Sequence, residues 1–203
     1  MPAAPLIGVL ALQGAFAAHE DALHRCAAET RQVRVPADLD GLDGLVMPGG
    51  ESTTMSRLLL TSGLFDPLAK RIEDGLKVFG TCAGMILLAT DVLDGRPDQR
   101  SFGAIDIAVR RNGYGRQVDS FEADIEIAAH DGAPSWPFHA VFIRAPKVES
   151  VGAGVTVVAA HEGVPVLAKS GRIFVASFHP ELTAVNRGKL GDHRLHAQFL
   201  QEV

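Results

Sequence analysis

The stretch Gly80-Thr81-Cys82-Ala83-Gly84 places a cysteine between two apolar runs, 76–79 and 85–89. The first run predicts a strand and the second a helix, so the cysteine lies at a strand-to-helix turn. Small residues around a nucleophile are typical of the sharp turn that lifts a reactive side chain above a sheet edge. The N–H groups at the start of the following helix would favour a thiolate there. The alternative, a buried cysteine packed as a small hydrophobic residue, stays open until a histidine and an acid are found elsewhere.

Length and composition predict one compact domain, residues 1–203. Of the 203 residues, 47% are hydrophobic and 21% are charged, which is enough for a substantial core. The 19 Lys and Arg against 24 Asp and Glu give a net charge of -5, which argues against nucleic-acid binding. No signal-peptide pattern begins the sequence, and no apolar run approaches the roughly 20 residues of a membrane span. The sequence therefore predicts a soluble, cytoplasmic protein, in which Cys26 and Cys82 are both free thiols.

The first half of the chain alternates predicted strands and helices. Residues 6–12 form a continuous apolar run, typical of a strand that is covered on both faces of a parallel sheet. Further elements follow in order: a helix at 15–29, strands at 32–35 and 44–47, helices at 56–61 and 66–74, and the strand that leads into Cys82. This β-α-β-β-α-β-turn-α order predicts a three-layer α/β/α architecture.

Strands dominate the second half. The alternating runs 105–109 and 121–127 predict strands with one wet face, antiparallel and near an edge of the sheet. Three more strands are predicted at 155–159, 164–169 and 172–178, followed by a closing helix at 189–202. Together the two halves predict a mixed, mostly parallel central sheet with antiparallel edge strands.

The loop Pro48-Gly49-Gly50-Glu51-Ser52-Thr53-Thr54-Met55 directly follows a predicted strand. Its glycines allow backbone to approach a ligand, and Ser52 or Thr53 is predicted to cap the next helix. A simple turn with a helix cap explains the same residues. No Walker loop and no Gly-x-Gly-x-x-Gly after a strand occurs in the sequence, so nucleotide binding by those motifs is not expected.

The stretch Ser177-Phe178-His179-Pro180-Glu181 ends an apolar predicted strand. In extended backbone, a spacing of two puts His179 and Glu181 on one face, and Pro180 favours extended backbone before it. A carboxylate can hold an imidazole in one tautomer while that imidazole serves a thiol. Alone, the pair is best explained as a surface histidine beside a surface glutamate. Together with the turn at Cys82, it predicts a nucleophile, base and orienter.

The other histidines have no matching acid at a strand end. The predicted surface or capping histidines are His19, His24, His130, His139 and His161. His193 and His196 lie three residues apart on the terminal helix, but two histidines without a third ligand are weak grounds for a metal site. No metal and no cofactor are predicted.

The sequence resembles the class I, or triad, glutamine amidotransferases, and more narrowly the glutaminase subunits of two-subunit pyridoxal 5′-phosphate synthases. Six segments in the family's order carry the resemblance: 8–14, 48–55, 80–89, 115–122, 142–146 and 177–183. Many amidotransferases of other pathways have a glutamine four residues after the nucleophile, whereas this chain has Ile86, as the vitamin B6 subfamily does. Asn112 is followed by Gly113 where the family usually has serine, which is a local departure in one turn.

The resemblance implies that Cys82 is the nucleophile, His179 the base and Glu181 its orienter. It also implies glutamine contacts from Gly50, Glu51, Ser52, Arg111, Ile143 and Arg144. The α-ammonium and α-carboxylate of glutamine need an anion and a guanidinium, which Glu51 and one of the two arginines can supply. The backbone N–H groups of Gly50 and Ala83 are the expected oxyanion donors.

The implied reaction is hydrolysis of L-glutamine to L-glutamate and ammonia through a γ-glutamyl thioester on Cys82. The ammonia would pass to a separate pyridoxal 5′-phosphate synthase subunit within a large ring-shaped complex. Three alternatives remain: a class I glutaminase subunit of another pathway, a thiol hydrolase of the same fold, and a partner-stabilising subunit with a vestigial site. Ile86 and the 48–55 loop argue against the first, Glu51 with Arg144 against the second, and the three filled triad positions against the third.

Overall fold

The computed structural model describes residues 3–113, 120–129, 134–182 and 192–203. The strands are β1 Leu6–Leu10, β2 Glu29–Val33, β3 Gly44–Met47, β4 Lys77–Thr81, β5 Ala89–Val92, β6 Ile105–Arg110, β7 Ser120–Ile127, β8 Trp136–Ile143, β9 Lys147–Val151, β10 Thr156–His161, β11 Val164–Ser170 and β12 Ile173–Ala176. The helices are α1 Phe16–Arg25, α2 Ser52–Thr61, α3 Phe65–Glu73, α4 Ala83–Leu88 and α5 Arg194–Glu202, with 3₁₀ turns at Pro36–Leu39 and Pro180–Leu182.

A seven-stranded central sheet has the order β10-β11-β12-β4-β3-β1-β2. The strands from β12 to β2 pair in parallel, whereas β11 and β10 are antiparallel and form one edge. Strands β3 and β12 are buried along their whole length, as their continuous apolar sequences require. The predicted mixed, mostly parallel sheet with antiparallel edge strands is confirmed.

Both faces of the central sheet are covered by packed apolar side chains. Along β3, Leu45 and Met47 join the core that includes α2, α3 and α4, whereas Val46 joins the core on the other face, with α1 and α5. This alternation follows from the two-residue period of a strand. The predicted three-layer α/β/α architecture is therefore present.

The strands predicted at 105–109 and 121–127 do not lie at an edge of the central sheet, so that prediction is wrong. Strand β6 pairs with β5 and β9 in a separate three-stranded sheet, and β7 pairs with β8 in a two-stranded one. The buried residues of β6 join the core on the α2 side, while those of β7 and β8 join the core on the α1 side. Alternation identifies a half-buried strand, but it does not specify which strand is the hydrogen-bonding partner. Strands β5, β8 and β9 were not predicted from the sequence.

Several predicted boundaries differ from those observed. Helix α1 ends at Arg25 because Ala27 adopts a positive φ of 60°, and β2 then begins at Glu29. Helix α2 begins four residues earlier than predicted, at Ser52, and its cap is Glu51 instead of Ser52 or Thr53. Predictions for residues 115–119, 183 and 189–191, and for His130, lie outside the described residues. Within the described ranges, no helix has the length and apolar composition needed to cross a membrane.

Candidate active site

Cys82 lies between β4 and α4 with φ 49° and ψ −104°, a conformation that costs a non-glycine residue about 1–3 kcal/mol. The surrounding backbone holds it there, since the Cys82 N–H donates to the carbonyl of Ala176 on β12 at 2.8 Å. A Cβ atom on Gly84 would lie 2.1 Å from the carbonyl oxygen of Met47, so α4 can approach the end of β3 only with glycine at this position. The predicted strand-to-helix turn is present. Ala83 begins α4, and its N–H therefore has no acceptor within the helix.

The sheet brings His179 to the same edge as Cys82. Strand β12 runs parallel to β4 with Ala176 opposite Thr81, so the residues that follow the two strands emerge side by side. His179 Nδ1 lies 2.8 Å from Glu181 Oε1. Cys82 is close enough to His179 to affect its pKa, and the Cys82 thiol also lies 3.9 Å from the carbonyl oxygen of Ile143. The prediction that extended backbone puts the side chains of His179 and Glu181 on one face is wrong. Residues 180–182 form a 3₁₀ turn, which brings the carboxylate back to the ring.

Both partners of this pair are buried, with 8% of His179 and 6% of Glu181 exposed. Burial alone would lower the pKa of His179, but hydrogen bonds with Cys82 and Glu181 outweigh it and raise this pKa to about 10. Burial would raise the pKa of Glu181, but the neighbouring His19 and the hydrogen bond and charge of His179 lower it to about 2. Since burial also lowers the pKa of His19, we attribute the ionised state of Glu181 mainly to His179. At neutral pH the pair is an imidazolium beside a carboxylate.

A cavity of about 390 Å³ opens above Cys82, within the range of about 300–1,000 Å³ typical of small-molecule sites. Its wall contains Cys82, His179 and every residue expected to contact glutamine. The lining residues are Gly50, Glu51, Ser52, Cys82, Ile86, Arg111, Asn112, Ile143, Arg144 and His179. The structure therefore brings residues from five separate segments of the sequence to one cavity.

Glu51 is held in place by the helix that it caps. Its carboxylate accepts hydrogen bonds from the N–H groups of Thr53 at 3.0 Å and Thr54 at 2.7 Å, and from the Thr54 hydroxyl at 2.7 Å. Burial opposes ionisation, but these hydrogen bonds lower the pKa of Glu51 to about 2. Its own N–H donates to Gln13 Oε1 at 3.1 Å. The cavity thus presents a fixed negative charge on one wall.

The two arginines of the cavity differ in how they are held. Arg111 donates from Nη1 to Thr53 Oγ1 at 2.8 Å and from Nη2 to the carbonyl oxygen of Asp94 at 3.0 Å. Arg144 is exposed, has a positive φ of 44°, and makes no ion pair with any residue that the structure describes. Arg111 is therefore a preoriented guanidinium, and Arg144 lies at the rim.

Gly49, in the loop before α2, leaves room for the imidazole of His179 because it has no side chain. A Cβ atom at this position would lie 2.3 Å from Cε1 of His179, so any larger residue would displace the imidazole. The following residue, Gly50, lines the cavity. The glycines let the backbone approach the site closely, which is the function that the sequence predicted for this loop.

His19 was predicted to be at the surface, and this is wrong. The residue is fully buried, with Nε2 at 3.3 Å from Glu181 Oε2 and Nδ1 at 2.9 Å from Nε2 of His196. A signal for burial does exist, because position 19 lies on the helical stripe that Phe16 and Leu23 define.

His24 is exposed, as predicted. Both cysteines are free, and the described ranges contain no group of three or more His, Cys, Asp or Glu placed to hold a metal ion.

Comparison with known proteins agrees with this geometry. Residues 9–203 match the SNO glutamine amidotransferase family. The chain is 54% identical to pyridoxal 5′-phosphate synthase subunit PdxT of Salinispora arenicola, over 98% of this chain and 97% of that relative. It is 53% identical to PdxT of Mycobacteroides abscessus with the same coverage. A crystal structure of a glutamine amidotransferase superposes with a TM-score of 0.85 at 46% identity, over 97% of both chains. PurLQS from Thermotoga maritima, at 16% identity and a TM-score of 0.70 over 98% of this chain and 97% of that one, shares the fold.

Proposed function

This chain belongs to the SNO glutamine amidotransferase family, and on that premise we propose that it hydrolyses L-glutamine to L-glutamate and ammonia at Cys82. The ammonia is used for the synthesis of pyridoxal 5′-phosphate, since relatives that are 50% to 54% identical are named as subunits of that synthase. One observation carries the proposal: Cys82 and His179, whose Nδ1 lies 2.8 Å from Glu181, line one cavity together with a fixed carboxylate and two guanidinium groups.

In the first half of the reaction, the sulfur of Cys82 attacks the side-chain carboxamide carbon of glutamine. The carbonyl oxygen becomes an oxyanion, which the backbone N–H groups of Gly50 and Ala83 stabilise in this proposal. Removing such a donor typically costs about 10²–10³ in rate. His179 donates its proton to the departing nitrogen, so the C–N bond breaks, ammonia leaves and a γ-glutamyl thioester stays on the sulfur.

In the second half, the same imidazole acts as a base. His179 takes a proton from water, the hydroxide attacks the thioester carbon, and the C–S bond breaks to release glutamate. Glu181 accepts the Nδ1–H bond throughout, which keeps Nε2 of His179 directed at Cys82. The proton that His179 gains returns the site to its starting state.

The charges of the cavity match a zwitterionic amino acid. Glu51, ionised and fixed by its helix, faces the α-ammonium group. Arg111 binds the α-carboxylate, because its hydrogen bonds to Thr53 and Asp94 orient the guanidinium before the substrate arrives. Ser52, Ile143 and Arg144 complete the wall around the side chain.

The partner of this chain is the synthase subunit that consumes the ammonia. The relatives named as subunits support such a partner, and the family resemblance supports its assembly into a large ring with glutaminase subunits bound to it. Ile86, which lines the cavity four residues after the nucleophile, agrees with the vitamin B6 subfamily.

A Cys82→Ala variant tests the proposal when it is mixed with glutamine, the synthase subunit and its phosphorylated sugar substrates. We expect no release of glutamate and no pyridoxal 5′-phosphate from glutamine, with synthesis restored by an ammonium salt. Cys26→Ala is the matched control, because Cys26 lies outside the cavity and should leave the rate unchanged. Pyridoxal 5′-phosphate made from glutamine at the normal rate by Cys82→Ala would contradict the assignment.

A further inference from the structure

We propose that His19 is a positioning residue for this reaction: with His196 behind it, His19 holds the second carboxylate oxygen of Glu181 while the first oxygen holds His179. The inference rests on the proposed function, because it extends the series Cys82, His179 and Glu181 by two buried imidazoles. His19 lies outside the cavity wall, so it acts through Glu181.

The contacts come from four separate elements. His19 on α1 has Nε2 at 3.3 Å from both Glu181 Oε2 and Thr81 Oγ1. Its other nitrogen, Nδ1, lies 2.9 Å from Nε2 of His196 on α5. Thr81 is the residue directly before the nucleophile, so the imidazole of His19 bridges the end of β4 and the 3₁₀ turn that carries Glu181.

The contacts of His19 with Glu181 and His196 lie in the interior of the protein. His19 and His196 are both 0% exposed, and Glu181 is 6% exposed, so water does not hydrate the inner side of the carboxylate. Glu181 Oε2 accepts no hydrogen bond from any described residue, and the ring of His19 is the polar group that faces it. A buried carboxylate oxygen is unfavourable without such a neighbour, so loss of the imidazole would free the carboxylate to rotate towards other partners.

The charges around the two buried rings define one arrangement of protons. Burial lowers the pKa of His19 and lowers that of His196 to about 3, so both rings are neutral at neutral pH. A neutral ring has one N–H, and the carboxylate of Glu181 favours placing that N–H on Nε2 of His19. Nδ1 of His19 then accepts from Nε2–H of His196, whose own Nδ1 is left as an unprotonated nitrogen without a described partner. An unpaired acceptor is the less costly of the two possible vacancies.

Two amide variants separate positioning from packing. In His19→Gln the amide nitrogen takes the position of Nε2, which lies 3.3 Å from Glu181 Oε2, whereas in His19→Asn the amide reaches only the position of Nδ1. We expect His19→Asn to lower kcat for glutamate release by about 10-fold to 100-fold, the effect typical of a residue that orients a directly acting group. His19→Gln should stay within about threefold of the wild type, and KM should not change, because His19 does not line the cavity.

The assay uses the full chain with its synthase subunit, and melting temperatures are measured for both variants. His24→Gln is the matched control, since His24 is an exposed histidine on the same helix. Equal losses in the two variants, losses that follow the melting temperature, or a wild-type kcat in His19→Asn would each overturn the proposal. A wild-type chain that releases no glutamate with its partner overturns the proposed function alone.

A second measurement does not depend on turnover or on the folding of a variant. In wild-type protein labelled with ¹⁵N-histidine, the ring nitrogen shifts at pH 7 report the tautomer of each histidine. We expect His19 and His196 to be neutral with the proton on Nε2, and His179 to be protonated on both nitrogens. A proton on Nδ1 of His19, or an imidazolium at this position, would overturn the inference.

Discussion

The two oxygens of the Glu181 carboxylate face two regions that both contain histidine. Oε1 faces the cavity side, with His179 and Cys82, and Oε2 faces the inner side, with His19, His196 and Thr81. Histidine has opposite protonation states on the two sides. On the cavity side, hydrogen bonds to Cys82 and Glu181 raise the pKa of His179 to about 10. On the inner side, His196 has no anion within hydrogen-bond distance among the described residues, and burial lowers its pKa to about 3. Desolvation acts on every buried ring here. Hydrogen bonds outweigh it at His179, whereas at His19 it outweighs the charge of Glu181 even at 3.3 Å.

This difference assigns different tasks to the two sides. In the proposed reaction, the groups whose charge changes lie on the cavity side, where substrate and water reach them. The inner side contains neutral rings that are sealed between α1, α5 and the sheet, so their role is to fix geometry. Substitutions on the cavity side should therefore alter binding or chemistry directly, whereas substitutions on the inner side should alter kcat or stability without altering KM.

The largest effect is expected where the two sides meet. Glu181→Gln keeps the shape of the side chain but removes its charge, so one of the two histidines faces an amide N–H instead of an acceptor. We expect kcat for glutamate release to fall about 10³-fold to 10⁴-fold, as in triads whose orienting carboxylate becomes an amide. Glu73→Gln, an exposed residue on α3, is the control. A loss of less than about tenfold would show that Glu181 does not orient His179.

The next largest effect concerns the outer wall of the cavity. Arg111→Lys keeps the charge but loses the planar fork that binds a carboxylate in two places. We expect kcat/KM for glutamine to fall about 10-fold to 100-fold, mainly through KM, because a hydrogen bond to a charged group contributes about 1.5–3 kcal/mol. Arg144→Lys at the exposed rim should have a smaller effect. Initial rates over a range of glutamine concentrations distinguish the two, and a larger rise of KM in Arg144→Lys would move the carboxylate site to Arg144.

The sequence predicted most of the parallel part of the fold because strands such as β1, β3 and β12 are continuous apolar runs. Strand β3 and the strand that leads into Cys82 are examples, since a short apolar run buried on both faces is typical of a parallel strand. The polar strand β2, at Glu29–Val33, was predicted at 32–35 instead. The sequence placed β6 and β7 in the wrong sheet, because an alternating pattern describes one buried face and carries no information on the pairing partner. Pairing between distant segments is decided by tertiary packing.

The site was predictable to the extent that its members lie in short motifs. His179 and Glu181 are two residues apart, so their proximity follows from local geometry even though the turn differs from the extended backbone expected. His19 and His196 are 177 residues apart, and nothing in either local sequence specifies the other. The helical stripe through position 19 shows burial only, and the partner depends on how α1 and α5 pack on the sheet. The helix cap formed by Glu51 is a local contact, and it was not predicted because the neighbouring Ser52 and Thr53 are the commoner capping residue types.

The inner side should also affect stability, through His196. Its pKa is about 3 in the folded protein, below the ordinary value of 6.5, so the unfolded chain binds the extra proton between these values. Folding stability is therefore lost as pH falls from 6.5 towards 3, with a slope of up to about 1.4 kcal/mol per pH unit from this residue. In His196→Leu we expect the free energy of unfolding to fall by about 2 kcal/mol less between pH 7 and pH 5 than in the wild type. Urea unfolding at the two pH values measures this, with exposed His24→Leu as control, and an unchanged slope would show that His196 is not buried in its neutral form.

The smallest effect is expected at Thr81, whose hydroxyl lies 3.3 Å from Nε2 of His19 and shares that nitrogen with Glu181. Thr81→Val preserves the buried volume, and Thr81→Ser preserves the hydroxyl, so the two variants separate hydrogen bonding from packing. A neutral hydrogen bond contributes about 0.5–1.5 kcal/mol, which predicts a loss of about 2-fold to 10-fold in kcat for Thr81→Val and none for Thr81→Ser. KM should be unchanged in both, as for any residue on the inner side. If Thr81→Val lowered kcat as much as His19→Asn does, the N–H of His19 would serve the hydroxyl before the nucleophile, and the carboxylate of Glu181 would be held by His179 alone.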